Sequence, residues 1–200
     1  MRVPVEAVRR SVDRLHEVLG QLDEHAVRGA SALPGWTRGH VLTHLSDFSR
    51  AMTRQAEYAL AGKTIEVYDG GRSGRDAGIE AGAGRPVDVL VKAVRTDTAD
   101  LLRVWEQVGP DDWARPVAYR DGDLLGTAYC AWREFEIHLT DLDVGPSPDE
   151  WTDEFRLHLL DFLGPRIPAG VQLELQPADA AWLAGRTAPR PDYPELLPWP

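Results

Sequence analysis

The sequence predicts a mainly α fold: a four-helix bundle with a small α+β appendage at its C-terminal end. Three observations predict it. Apolar residues recur every three or four positions along several long stretches, which is the period of an amphipathic helix. Gly and Pro cluster between those stretches and punctuate them. Only one short stretch, near the C-terminus, alternates apolar and polar residues as a strand does.

In chain order, Val5, Val8, Val12, Leu15, Leu19 and Leu22 form the first apolar stripe, so a helix is expected from Pro4 to His25. Pro4 suits a first helical turn, where its missing N–H costs nothing. Ser31-Ala32-Leu33-Pro34-Gly35 reads as a turn, and Thr37 as the cap of a second helix running to Leu60. Val41, His44, Leu45, Phe48 and Met52 line one face of that helix. Gly62 ends it. The Gly-rich, charged segment from Lys63 to Gly84 reads as a loop with a short helix from Arg75 to Ala81. Pro86 opens a third long helix with Val87, Leu90, Val94, Leu101 and Trp105 on one side, ending near Gly109-Pro110. Pro116-Val117-Ala118-Tyr119 reads as a short extended piece before a turn at Arg120 to Asp123. A fourth helix is expected from Thr127 to Asp143, and a further one opening at Asp149 or Thr152 and closed by Gly164-Pro165. Val171-Gln172-Leu173-Glu174-Leu175 reads as a strand, Asp179 to Ala184 as one or two helical turns. The tail from Thr187 onward holds five prolines and is expected to lie without regular structure. The domain reading is a metal-binding bundle over 1–165 and the appendage over 166–200.

Composition narrows the function. Acidic residues outnumber basic ones 32 to 22, for a formal charge of −10, which excludes a nucleic-acid partner needing a basic surface. No apolar run is long enough to span a membrane. The N-terminal residues lack an apolar signal core, so a cytoplasmic protein is expected. The single cysteine, Cys130, rules out an internal disulfide and a Cys-rich zinc site.

The chemistry points to Glu134 and His138. Residues four apart on a helix sit one turn above each other, about 6 Å apart. A carboxylate and an imidazole so placed can grip one divalent metal. Many surface helices carry such a pair as a simple ion pair. What raises its weight is His44, on the inward stripe of another helix. Burying Glu134 without a partner would be costly, and a cation removes that cost. Two imidazoles and a carboxylate suit zinc and leave a coordination position open for water or substrate. Nickel, iron and manganese accept the same donors.

His40, one turn before His44, offers a competing His-x-x-x-His pair and is placed at the mouth of the site. Asp47 and Asp141 lie one turn from the expected ligands, and either can orient an imidazole by accepting its free N–H. Trp36 and Trp132 are read as core or pocket aromatics. Glu136 lies about 200° around the helix from Glu134 and is excluded as a ligand. Cys130 is read as a small buried residue. His16, His25 and His158 are read as surface residues.

Leu33-Pro34-Gly35-Trp36-Thr37-Arg38-Gly39-His40 through His44-Leu45, then Arg75-Asp76-Ala77-Gly78-Ile79-Glu80, then Arg133-Glu134 through His138 to Asp141-Leu142 resemble the mycothiol-dependent maleylpyruvate isomerase family. That family lies within the larger DinB-like metal-binding bundles. Ala181-Trp182-Leu183-Ala184-Gly185-Arg186 and Leu196-Leu197-Pro198-Trp199 extend the resemblance to the tail. The resemblance implies zinc held by His44, Glu134 and His138, with Arg186 as a catalytic arginine. It implies mycothiol, a low-molecular-weight thiol, as cosubstrate and a small-molecule electrophile as its partner. The implied reaction is cis–trans isomerisation of maleylpyruvate or a similar unsaturated dicarboxylate by reversible thiolate addition. A thiol S-transferase using the same site, a non-catalytic metal- or ligand-binding bundle, and a metal-free partner-binding bundle are the alternatives. The sequence fits a monomer or a homodimer.

Overall fold

Val8, Val12, Leu15 and Leu19 are all buried and form the inner stripe of the first helix, α1 (Val5–Leu19). In the computed structural model, which describes residues 3–199, this helix stops at Gly20 instead of continuing to His25. Two local preferences explain the break. Gly is a poor helix former, and the Asp23 carboxylate accepts the Ala26 N–H at 2.7 Å, which starts a separate short helix, α2 (Glu24–Arg28).

Helix α3 (Arg38–Leu60) begins where the sequence places it. Thr37 accepts the His40 N–H, and the His40 imidazole accepts the Thr37 N–H at 3.1 Å, a reciprocal cap that satisfies two helix-end donors. Helix α4 (Gly71–Gly82) starts a turn earlier than the expected Arg75. Gly70, at φ +75°, supplies the left-handed residue that lets the chain turn into it. Helix α5 (Val87–Trp105) follows Pro86. The expected extended piece at Pro116–Tyr119 is reduced to one bridge, Pro116 to Asp123, and a 3₁₀ turn over Tyr119–Asp121. Helix α6 (Leu124–Asp141) opens before the expected Thr127 because Asp123 caps it, accepting the Gly126 N–H at 2.8 Å.

The four long helices close a ring of contacts, α1 on α5, α5 on α3, α3 on α6 and α6 on α1. Phe135, Leu42, Leu45, Leu101, Leu124 and Leu139 are fully buried inside it. A buried polar tie joins α1 to α6: Glu136 accepts from Ser11 at 2.6 Å and from Arg14 at 3.0 Å. Glu136 is thereby used up on the far side of α6, as its angular position requires. Helix α4 lies close against α3 through glycines. A Cβ on Gly39 would stand 2.2 Å from the Ala83 carbonyl oxygen, and one on Gly82 would stand 2.5 Å from Thr43 Cγ2. This approach fixes Arg75, on α4, beside His44, on α3.

The chain divides into two compact units, Met1–Val144 and Gly145–Pro200. The division falls earlier than residue 165, so the helix after the bundle goes with the second unit. That unit holds α7 (Asp153–Leu163), capped by Thr152, and α8 (Asp179–Leu183), which packs on it. No strand forms among the described residues, and Val171–Leu175 has no regular structure. A strand gains its hydrogen bonds only from a neighbour, and no second alternating segment exists to pair with it. The appendage is therefore helix and loop, not α+β. Its Pro-rich tail lies without regular structure, tied down where Arg166 and Leu197 exchange hydrogen bonds at 2.8 and 2.7 Å. No helix among the described residues is long and apolar enough to cross a membrane.

Gly39→Ala is expected to destabilise the bundle by about 1–3 kcal/mol through overpacking against the Ala83 backbone. Chemical denaturation measures it, and an unchanged midpoint would show that the α3–α4 approach is loose.

Candidate metal centre

The inward stripe of α3 carries His44, whose side chain is 4% exposed. Helix α6 presents Glu134 and His138 one turn apart on its facing side. One carboxylate oxygen, Glu134 Oε2, lies 2.8 Å from His44 Nε2 and 3.2 Å from His138 Nε2. The two imidazoles meet edge to face, centroids 4.7 Å apart and planes at 85°. All three donor atoms lie within 4.8 Å of one another. Two imidazole nitrogens and one carboxylate oxygen converging on a point are a donor set that a divalent cation fits. Glu134 is 28% exposed, far more than His44, so the triad is walled on the α3 side and accessible on the carboxylate side.

Asp141, at the end of α6 and 1% exposed, sits 2.9 Å from His138 Nδ1. It accepts the hydrogen bond from Nδ1–H, which fixes the ring so that Nε2 points at Glu134. Burial alone would lower the His138 pKa, but hydrogen bonds to Asp141 and Glu134 outweigh it and push the value up to about 9. His44 moves the other way, lowered by its burial against the pull of Glu134. Burial raises the Glu134 carboxyl, yet the hydrogen bonds of His138 and His44 hold it well below the ordinary carboxylate range. Glu134 is thus an anion at any working pH.

The other expected site residues fall into different places. Trp36 packs against the triad, its ring 5.9 Å from that of His44 and 6.0 Å from that of His40. His40 turns its Nδ1 to the helix cap and its Nε2 to Glu80 at 3.3 Å, so both ring nitrogens are engaged outside the triad. Asp47 meets no histidine among its contacts; it pairs with Arg50 at the rim of a neighbouring cleft. Cys130 is buried, its S–H directed to the Tyr119 hydroxyl at 3.0 Å, and burial pushes its thiol up to about 12. It is no nucleophile at neutral pH. His16, expected at the surface, is half-buried and bonded to Thr98 at 3.0 Å. Arg186 belongs to the second unit, where its backbone N–H donates to Ala181 at 2.8 Å in the turn after α8.

Two residues beside the triad gave no periodic signal. Arg75 brings Nη2 to 3.3 Å from His44 Nδ1. Tyr68, half-buried in the loop before α4, lies within the influence of Arg75 and Glu134, and its burial raises its pKa so that it stays a neutral hydroxyl. Tyr68 comes from the loop before α4, and Arg75 from a short helix whose Gly-rich sequence marks no inward face.

A four-helix bundle with a His–Glu–His donor set at its interior is the class that fold and site define. Residues 8–143 match the mycothiol maleylpyruvate isomerase N-terminal domain family, and the chain belongs to it. Among solved structures, one described as the mycothiol-dependent maleylpyruvate isomerase shares 21% identity and a TM-score of 0.77, covering 82% of this chain and 70% of that one. A histidine-to-alanine mutant of the mycothiol-dependent maleylpyruvate isomerase gives 18% identity and a TM-score of 0.85, covering 98% and 97%. At these identities the likeness establishes the fold. Comparison with curated proteins returns no match.

A raised His138 pKa is a stability statement with a definite sign. The contribution is fully present below the ordinary value of 6.5 and fades as pH rises through about 9. The depressed groups, His44 and Glu134, have their transitions on the acid side of that window. Chelator-treated protein is therefore expected to lose thermal stability between about pH 7 and pH 10, and Asp141→Asn to flatten that loss. A flat wild-type profile would contradict the His138–Asp141–Glu134 account.

Proposed function

We propose that the chain is a metal-dependent isomerase that uses mycothiol to convert maleylpyruvate, or a similar cis-unsaturated dicarboxylate, into its trans isomer. The observation that carries this reading is the convergence of His44, Glu134 and His138 at an accessible point in a chain of this family. Those three residues would hold the cation, with zinc the metal that the donor set suits best. When bound, a divalent cation lowers the pKa of a coordinating thiol and supplies a nucleophile at neutral pH.

The protein's own groups do the rest. Glu134 Oε2 and the Nε2 atoms of both imidazoles converge on one point, and Asp141 holds the His138 ring in that orientation; a bound cation would take the place of the protons now shared there. The protein's one thiol, Cys130, stays protonated and buried, so the attacking sulfur is that of the cosubstrate. The thiolate adds to the carbon–carbon double bond conjugated to the ketone, forming a carbon–sulfur bond and an enolate. The former double bond is now single and rotates. The enolate then re-forms the double bond, expels the same thiolate and leaves the trans product, with no net proton or electron consumed. Arg186, by its position in the family motif, would pair with a substrate carboxylate through its planar fork.

Zinc-loaded protein is expected to isomerise maleylpyruvate only with thiol present. Chelation should abolish turnover and zinc restore it. His44→Ala should lower kcat/KM at least about 100-fold, a loss of roughly 3 kcal/mol, with the helical circular dichroism unchanged. Isomerisation independent of thiol, or undiminished in His44→Ala, would reject the reading.

A further inference from the structure

We infer that Arg38 is a positioning residue of the metal centre: its guanidinium clamps the end of α6 to the start of α3 and so holds the His138–Asp141 pair in register with His44. This rests on the proposed reading of the triad as a cation site and names what keeps its two helices in place.

Arg38 is the first residue of α3, on the same helix as His44. The six positions between them are a rise of about 9 Å. Among the described residues its side chain bonds main-chain carbonyls alone. Nε donates to the Leu142 carbonyl at 2.6 Å, Nη2 to that of Asp143 at 2.9 Å and Nη1 to that of Ala26 at 3.2 Å. Upstream, the Ala32 N–H donates to the Asp141 carbonyl at 2.9 Å. Three successive carbonyls, those of Asp141, Leu142 and Asp143, are therefore bound by the segment that leads into α3. These are groups that a helix end cannot satisfy from within, and a cation there also meets the negative end of the helix dipole. Asp143 leaves the helix at φ +53°, a left-handed conformation that most side chains avoid, and the bond to its carbonyl holds that turn.

The clamp lies where the site needs it. His138 and the Asp141 that orients it both belong to the last turn of α6. Helix ends fray before helix middles do. A frayed last turn would carry Asp141 away from His138 and let His138 drift from Glu134 and His44. A cation binds only the ordered fraction, so its apparent affinity falls in proportion to that fraction. Gly29 leaves room for the same contact. A Cβ there would stand 2.4 Å from Arg38 Nη1, so only a residue without a side chain gives the guanidinium its path. Arg38 also ties in the end of α2 through Ala26, which makes it the meeting point of three helix ends. A cap that served stability alone would weaken the whole bundle evenly. A clamp one turn from the ligands would change the site more than the fold.

The test uses the full-length protein, with zinc affinity read by chelator competition and site geometry by the visible absorption of the cobalt-substituted form. Arg38→Met should bind zinc at least about 10-fold more weakly and alter the cobalt spectrum. Arg38→Lys, which keeps the charge but not the fork, should fall between. Gly29→Ala, which displaces the guanidinium without removing it, should weaken zinc in the same direction. In metal-free Arg38→Met, amide hydrogen exchange at Leu142 and Asp143, whose N–H groups close the last turn, should quicken. Ser11→Ala is the control. It removes a bond to Glu136 on the opposite side of α6, so it should lower the melting temperature while zinc affinity stays within about twofold. Unchanged zinc affinity in Arg38→Lys and Gly29→Ala would overturn the inference, as would an equal loss in Ser11→Ala, by making Arg38 a cap for the fold alone. Those two variants decide the matter if Arg38→Met does not fold. Wild type that binds no zinc would reject the cation reading and the clamp with it. Wild type that binds zinc through this clamp yet fails to isomerise maleylpyruvate rejects the isomerase reading and keeps this one.

Discussion

The structure is organised by one partly exposed carboxylate, that of Glu134. Glu134 sits between two imidazoles, with one side open to solvent, and the part of its charge withdrawn from water is met by both rings. Its oxygen Oε2 is reached from α3 by His44 and from α6 by His138, so two helices remote in sequence meet at one atom. Each neighbouring feature serves that meeting. Asp141 orients the His138 ring. Trp36 and Phe48 pack on the His44 ring. Gly39 and Gly82 allow α4 to approach α3 closely enough to bring Arg75 alongside.

Two other acids inside the bundle are tied off locally. Glu136, two residues from Glu134, is satisfied by Ser11 and Arg14 on the opposite side of α6. Asp97, raised by its burial, is held by Ser46 and Arg50. These networks lock helix to helix and leave the triad as the place where donors converge without a fourth protein group among them. A site with one accessible side and three fixed ligands is what a cation needs if it is also to accept a substrate atom.

The long helices were legible because their burial repeats. Val8, Val12, Leu15 and Leu19 on α1, and Val41, His44, Leu45 and Phe48 on α3, announce the inward faces directly. Glu134 and His138 were legible for the same reason, since four residues on a helix fix a direction. Where direction is not set by a repeat, the sequence was silent. Asp23 competes with α1 by capping a new helix, a choice decided by one side-chain hydrogen bond. Val171–Leu175 alternates like a strand but has no partner, and pairing is a property of two segments. His40 shares a helix face with His44, yet its ring bends back to the Thr37 N–H, because a helix end needs its donors met. Asp47 lies one turn from His44 but finds Arg50 nearer. Arg75 stands in a motif and on a short helix that the sequence shows, but no apolar stripe tells which way it points, and Tyr68 comes from an irregular loop, so their place beside His44 is set by the tertiary fold.

The account stands on a cation at the triad that offers a vacant position to sulfur. X-ray absorption at the zinc edge, recorded with and without thiol, tests this most directly. The expected first shell is two nitrogens at about 2.0–2.1 Å and a carboxylate oxygen, with a sulfur appearing at about 2.3 Å when thiol is added. A shell without imidazole, or one that thiol leaves unchanged, would contradict it.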